Sequence, residues 1–167
     1  MTAEFVLRAG EGGKQMSQMP TPKKHPSQFE PGEQFKPVQF VVSQDMVNYF
    51  LIGINERHLW YREASPLGGP VVPPVMSHMF YIRVLAMYLW DDFVGAIFTK
   101  PADIHYAFDA QNLDPIRIGE KVTVKGRCMR TEIKRGRKYL EYENLIYGED
   151  GRLCMRYVST NTVMVKE

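Results

Sequence analysis

Between Asn55 and Met76 the chain reads NERHLWYREASPLGGPVVPPVM, and the apolar run SHMFYIRVLAMYLWDDFVGAIF follows at once. His58 is the side chain in this stretch whose ordinary pKa lets it give or take a proton near neutral pH. The Gly/Pro-rich loop after it leads to the start of a helix. There the first-turn N–H groups lack internal partners and can bind an oxygen that gains negative charge. An imidazole beside such donors is an arrangement that can hold a carbonyl against a base.

The elements around this stretch must position it. The spacing predicts a helix beginning after Pro73-Pro74, because proline is tolerated in a first turn and not deeper. The run from Met79 to Phe98 is apolar on nearly every face, so other elements must wrap it. Arg83, Asp91 and Asp92 within it argue for a buried helix over a membrane span. Upstream, Ser43 is placed to cap a short helix over QDMVNYFLIGI, with Met46, Val47, Phe50, Leu51 and Ile54 at helical spacing and Gly53 letting the chain turn out. From Ala102 onward the period becomes two. Val122, Val124, Gly126 and Cys128 alternate with polar neighbours, Leu140, Tyr142, Asn144 and Ile146 oppose Tyr139, Glu141, Glu143 and Leu145, and Leu153, Met155 and Tyr157 close the series. Hairpin turns are predicted at Lys134-Arg135-Gly136-Arg137 and Glu149-Asp150-Gly151. The expected architecture is α+β, an antiparallel sheet wrapped around one long central helix, with edge strands that dimerisation would cover.

Composition bounds the function. The 167 residues suffice for one domain, and 21 basic against 19 acidic side chains give a net charge of +2, too balanced for the field of a nucleic-acid binder. Cys128 and Cys154 lack CxxC spacing and read as free buried thiols. His25, His58, His78 and His105 are scattered, so no metal site is expected. Residues 1–36, rich in Gly, Pro, Lys, Gln and Ser, read as a flexible or surface-draped arm, with an ordered cover over a partner subunit as the alternative; 37–167 form the domain. The N-terminus carries acidic residues and no apolar stretch of the secretory kind, which predicts a cytoplasmic protein.

From Phe40 to Val165 the chain resembles hot dog fold proteins of the MaoC-like group, the (3R)-enoyl-thioester hydratases and hydroxyacyl dehydratases. Two passages carry the resemblance: GGPVVPP-M before the central helix, and Asp114-Pro115-Ile116-Arg117-Ile118-Gly119-Glu120-Lys121-Val122, similar to the P-[IV]-x-x-G-[DE]-x-[LV] turn that opens the long meander. The likeness is nearest to the substrate-binding subunit of two-subunit fatty acyl dehydratases. It implies a hot dog fold, an acyl thioester ligand, and a homodimer or a heterodimer with a second hot dog chain. It implies no cofactor apart from coenzyme A or the pantetheine of an acyl carrier as part of the substrate.

The resemblance also implies site residues. Family members place an Asp and a His as D-x-N-P-x-H. Setting His58 on that histidine puts Asn55 on the asparagine, Glu56 on the proline and Gly53 on the aspartate, so the acid is missing from its place; Glu56, Glu63 or Asp45 could substitute. The expected catalytic residues are His58, Asn55 and Glu56, with a surface or structural His58 as the alternative. Pro74 stands where relatives offer a glycine N–H, leaving Val75 or Met76 as donor. The expected substrate-binding set is Gly53, Trp60, Gly69, Val72, Pro73, Pro74, Val75 and Met76. Trp60 and Tyr61 would line an acyl tunnel or anchor the core, and Met76, Met79 and Met87 would line the site or simply fill the interior. Gly68 and Gly69 supply at least a tight turn. The basic tip of Arg130, Lys134, Arg135, Arg137 and Lys138 would meet carrier phosphates or be a solvated hairpin. A hydratase or dehydratase, a non-catalytic acyl-binding subunit and, third, a thioesterase are the functional expectations.

Overall fold

A computed structural model of the chain describes residues 28–89 and 104–164. In order it holds β1 (Val38–Val41), α1 (Gln44–Gly53), single 3-10 turns at Leu59–Tyr61 and Pro74–Met76, α2 (Ser77–Leu89), β2 (Ile104–Asn112), β3 (Lys121–Lys134), β4 (Arg137–Tyr147) and β5 (Leu153–Met164). The strands make one five-stranded antiparallel sheet in the order β1-β3-β4-β5-β2.

The period-two pattern sets which face is buried. Val122, Val124, Gly126 and Cys128 of β3 point inward, and register pairs Val124 with Ile146 and Cys128 with Tyr142. Register also sets Ile146 against Met155, Asn144 against Tyr157, Tyr142 against Ser159 and Leu140 against Asn161, so three strands share one inner face. Helix α2 lies on it, burying Phe80 and Tyr81, with Met76 buried just before the helix. The helix described ends at Leu89; the remainder of the predicted long helix, and the side chain of Met87, lie outside the described residues.

Both predicted hairpins form. Arg135 and Gly136 take φ of 50° and 71° between the paired residues Lys134 and Arg137, a two-residue turn with both central residues left-handed, which matches the twist of the strands. In the second, Gly148 N–H bonds Arg152 O at 2.9 Å and Gly151 takes φ 83°. Ser43 caps α1 by accepting from Met46 N–H at 3.2 Å, and Val47 and Leu51 are buried while Tyr49 and Ile52 face out. The chain turns out of α1 at Asn55, with φ 54°, and not at Gly53.

Of the arm, residues 1–27 lie outside the described residues, and 28–36 are packed. Phe29 and Phe35 are fully or almost fully buried with Tyr142, at ring separations of 5.4, 5.9 and 5.6 Å, and Phe35 N–H bonds Gly126 O at 2.8 Å. Composition signalled turns there, but the two phenylalanines supply the apolar area that holds the segment down. The basic tip is largely spoken for: Lys138 is buried and donates to Phe29 O at 2.6 Å, Arg130 pairs with Glu141 and Lys134 with Glu132. Cys128 and Cys154 are free and buried, and burial pushes the Cys128 thiol up to about 11.

Candidate functional site

The loop after α1 is built from its own residues. Asn55 sits in the left-handed conformation that ends the helix, a conformation asparagine tolerates better than most side chains. Glu56 Oε1 accepts from the N–H groups of His58 at 2.8 Å and Arg57 at 2.7 Å, and these bonds hold its carboxyl below the ordinary range. His58 caps the turn Leu59–Tyr61: its Nδ1 accepts from Trp60 N–H at 3.2 Å, and its ring lies edge-on to Trp60 at 5.2 Å. A neutral ring that accepts at Nδ1 carries its proton on Nε2, so His58 in this state is a donor rather than a base.

The two passages singled out by their motifs meet in space. Gly68 and Gly69 take φ of 87° and 103°, and Ser65 closes the turn with its hydroxyl on Gly69 O at 2.6 Å. Val72 N–H bonds Ile116 O at 2.8 Å, Ile118 N–H bonds Pro70 O at 3.2 Å, and Arg117 donates to Leu67 O at 3.0 Å. The far side of the Asp114–Glu120 turn is held by Arg152, bidentate on Glu120 at 2.6 and 2.9 Å and bonded to Pro115 O at 2.8 Å. Burial works against the Glu120 carboxylate, but Arg152 and the N–H groups of Arg117 and Glu149 outweigh it and keep the pKa low.

Two clefts flank the turn that starts α2, sharing Pro74 and Asn112 as a common wall. One, about 270 Å³, is apolar, with Trp60, Tyr61, Leu67, Val72, Ile116 and Met155 among its lining. The other, about 360 Å³, is lined by Val75, His78, His105, Phe108 and Tyr157. Met76 N–H is taken by Pro73 O at 2.9 Å, so of the two expected donors Val75 remains.

The second cleft holds three titratable groups in line. His78 Nδ1 lies 2.9 Å from the Tyr157 hydroxyl, which lies 3.2 Å from His105 Nε2. The imidazoles are 4.8 Å apart at their centroids. Burial lowers the pKa of both, with the neighbouring His105 adding to the effect at His78, and burial pushes the Tyr157 phenol up to about 12.

A strand irregularity brings His105 here. In β2, His105 pairs with Asn161 and Ala107 with Thr160, leaving Tyr106 as an extra residue. The bulge puts His105 on the inner face with Phe108 and Ala110, its ring stacked on Phe108 at 5.7 Å and 17°. Tyr106 packs outward on Tyr139 at 5.6 Å.

Of the expected site residues, Trp60, Val72, Pro74 and Val75 line the clefts, whereas Gly53, Gly69, Pro73 and Met76 line neither, Met76 being fully buried in the core. His58, Asn55 and Glu56 sit together on an exposed loop and also line neither cleft. The cluster of His78, His105 and Tyr157 was missed. Its histidines are 27 residues apart, and strict alternation puts His105 on the outer face.

No protein-family model matches the chain, and no curated protein does. Solved structures match it closely in architecture. The MaoC-like dehydratase from Rhodospirillum rubrum aligns with TM-score 0.66 and 13% identity over 84% of this chain and 97% of that one. The (R)-hydratase from A. caviae involved in PHA biosynthesis gives 0.64 and 12% over 80% and 96%. The HadBC (3R-hydroxyacyl-ACP dehydratase) complex from Mycobacterium tuberculosis gives 0.58 and 17% over 80% and 96%. An antiparallel sheet in the order β1-β3-β4-β5-β2 with α2 laid on its inner face is thus the hot dog fold, in the form shared by MaoC-like dehydratases and (R)-hydratases.

Proposed function

We propose that the chain binds an acyl thioester across the paired clefts and carries out (3R)-specific hydration of the enoyl thioester, or the reverse dehydration. The observation that carries the reading is the pair of clefts meeting at Pro74: an apolar wall for an acyl chain on one side, proton-handling side chains on the other. The Val75 N–H at the start of the helix would receive the thioester oxygen, and water with acid and base groups suffices for the reaction without a further cofactor. Coenzyme A or a pantetheine-bearing carrier would present the substrate. A second hot dog chain fits the β2 edge, where Ile104 and Tyr106 are 52% and 67% exposed. No described helix is long and apolar enough to cross a membrane.

The test is direct. Purified protein should quench or enhance Trp60 fluorescence on adding an enoyl-CoA and should then bleach the enoyl absorbance; absence of both would end the reading. The second reading, a non-catalytic acyl-binding subunit, is favoured by Pro74, which has no N–H, and by Gly53, which has no carboxylate. It requires an inert pure protein that acquires activity only when co-expressed with a hot dog chain carrying D-x-N-P-x-H.

A further inference from the structure

The hydrogen-bonded line His78–Tyr157–His105 has a property that none of its members has alone. A phenol carries one proton, so the Tyr157 hydroxyl can donate to one imidazole only and must accept from the other. If it donates to His78 Nδ1, then His105 Nε2 carries a proton, His105 Nδ1 holds a lone pair, and His78 Nε2 is protonated. If it donates to His105 Nε2, both outer nitrogens exchange roles. Whichever arrangement holds, the neutral line offers one acid and one base at its two ends; loss of a proton at one outer nitrogen and gain of one at the other, together with a shift of the two protons that flank the phenol oxygen, interconverts the two arrangements.

We infer that His78, Tyr157 and His105 form the proton-transfer site of this cleft, supplying an acid and a base where the exposed loop, which lines neither cleft, does not reach. The inference rests on the acyl-thioester reading. In hydration, one outer ring nitrogen takes a proton from water as its oxygen bonds to the β carbon, the C=C electron pair moves to the α carbon, and that carbon takes the proton of the other outer nitrogen. The product is the 3-hydroxyacyl thioester. The transfers leave one ring a proton rich and the other a proton poor; passage of protons through the Tyr157 hydroxyl restores both to neutrality, and exchange with solvent returns the original tautomers. His78 and His105 are catalytic residues in this scheme, and Tyr157 is a positioning and relay residue.

Further observations favour it. Phe108 and Tyr157 stack at 5.6 Å and 15°, and His105 lies nearly parallel to Tyr157 at 13°, so the rings are held in a fixed pile at the cleft wall. Burial keeps both imidazoles neutral and the phenol protonated near pH 7, the charge state that the alternation of donor and acceptor needs.

The experiment uses the full chain and crotonyl-CoA as probe. Binding is read by Trp fluorescence, hydration by loss of enoyl absorbance, and folding by circular dichroism. Tyr157→Phe keeps the buried ring and removes only the hydroxyl. Tyr157→Phe and His78→Gln are each expected to lower kcat about 100-fold or more with KM within about threefold. The double variant should be no slower than the worse single one, since all three groups act as a unit. Nitrogen-15 spectra should show the His78 and His105 tautomer signals change in Tyr157→Phe, which loss of packing alone would not produce. A folded Tyr157→Phe with wild-type kcat overturns the inference and leaves the thioester reading standing. Wild-type protein that binds crotonyl-CoA without hydrating it also overturns the inference and leaves of the thioester reading only the non-catalytic acyl-binding subunit. Protein that does not bind the probe overturns both.

Discussion

The loop Asn55–Tyr61 and the cluster at the second cleft both carry imidazole, yet their hydrogen bonds differ in reach. Those of the loop side chains span one to six residues: Glu56 to Arg57 and His58, His58 to Trp60, and Arg62 to the Glu56 carbonyl. Those of the cluster span 79 and 52 residues, from α2 to β5 and from β5 to β2. Local bonds can be satisfied by any chain that makes the turn, and they leave the groups exposed. Long-range bonds exist only once the fold has closed, and they set groups in a cleft where burial changes their acidity. A motif that looks catalytic by spacing can thus be occupied with shaping its own loop.

The sharpest way to break this contrast is to remove each imidazole. His78→Gln should slow crotonyl-CoA hydration about 100-fold or more, as loss of a general acid or base does. His58→Gln should leave the rate within about twofold, as for a surface change away from the site; the reverse ranking, read from steady-state kinetics, would return the chemistry to the loop. A smaller effect separates the two in stability. His58→Ala removes a turn cap and should cost about 1 kcal/mol in denaturant unfolding while kcat holds. Asn55→Ala, which forces alanine to φ 54°, should cost a further 1 kcal/mol or so, and Asn55→Gly should restore or exceed wild-type stability. Loss of turnover in Asn55→Gly would show that the amide does more than end a helix.

Acid should undo the two regions in separate windows. Among the described residues, the titratable groups facing His78 and His105 are each other and the phenols of Tyr81 and Tyr157. Both imidazoles titrate below their ordinary 6.5, so the fold favours the neutral rings. Their contribution is complete above pH 6.5 and is lost as pH falls through the lowered values. Glu56 titrates below its ordinary 4.5, so its contribution to the loop persists to lower pH and is lost only as pH falls below 4.5. Proton-detected spectra of the imidazoles and of the Arg57 and His58 amides should therefore change in that order on acidification.

Much of the fold was legible because period-two alternation runs through β3, β4 and β5 on either side of the irregularities at Cys128/Arg130 and Ile146/Tyr147, and because Arg135-Gly136 and Asp150-Gly151 are turn chemistry with few alternatives. The Ser43 cap was legible for the same local reason. The packing of Phe29 and Phe35 was not, since aromatics among prolines and glycines carry no period. The binding wall was half legible: Trp60, Val72, Pro74 and Val75 adjoin the motifs that marked them. The proton-handling side was hidden because its members come from three elements and one of them depends on a bulge that periodicity cannot announce.

Asn144 shows a different cost. Its carboxamide is buried on the inner face, and neither of its polar atoms has a hydrogen-bond partner among the described residues. Asn144→Leu should raise stability by about 1 kcal/mol or more, because desolvation of an unpaired amide is then relieved.

The extra residue at Tyr106 makes the side on which His105 lies a matter of register. Were the bulge ironed out with no residue lost, Tyr106 would take the place opposite Asn161 and the imidazole would swing to the opposite side of the ribbon while residues 107–112 kept their pairing. Deleting the codon for Tyr106 would instead leave His105 opposite Asn161, so a shortened ribbon keeps the imidazole on the side where a straightened one loses it. A substitution scan along residues 104–107 would find the first outcome, and only a deletion the second.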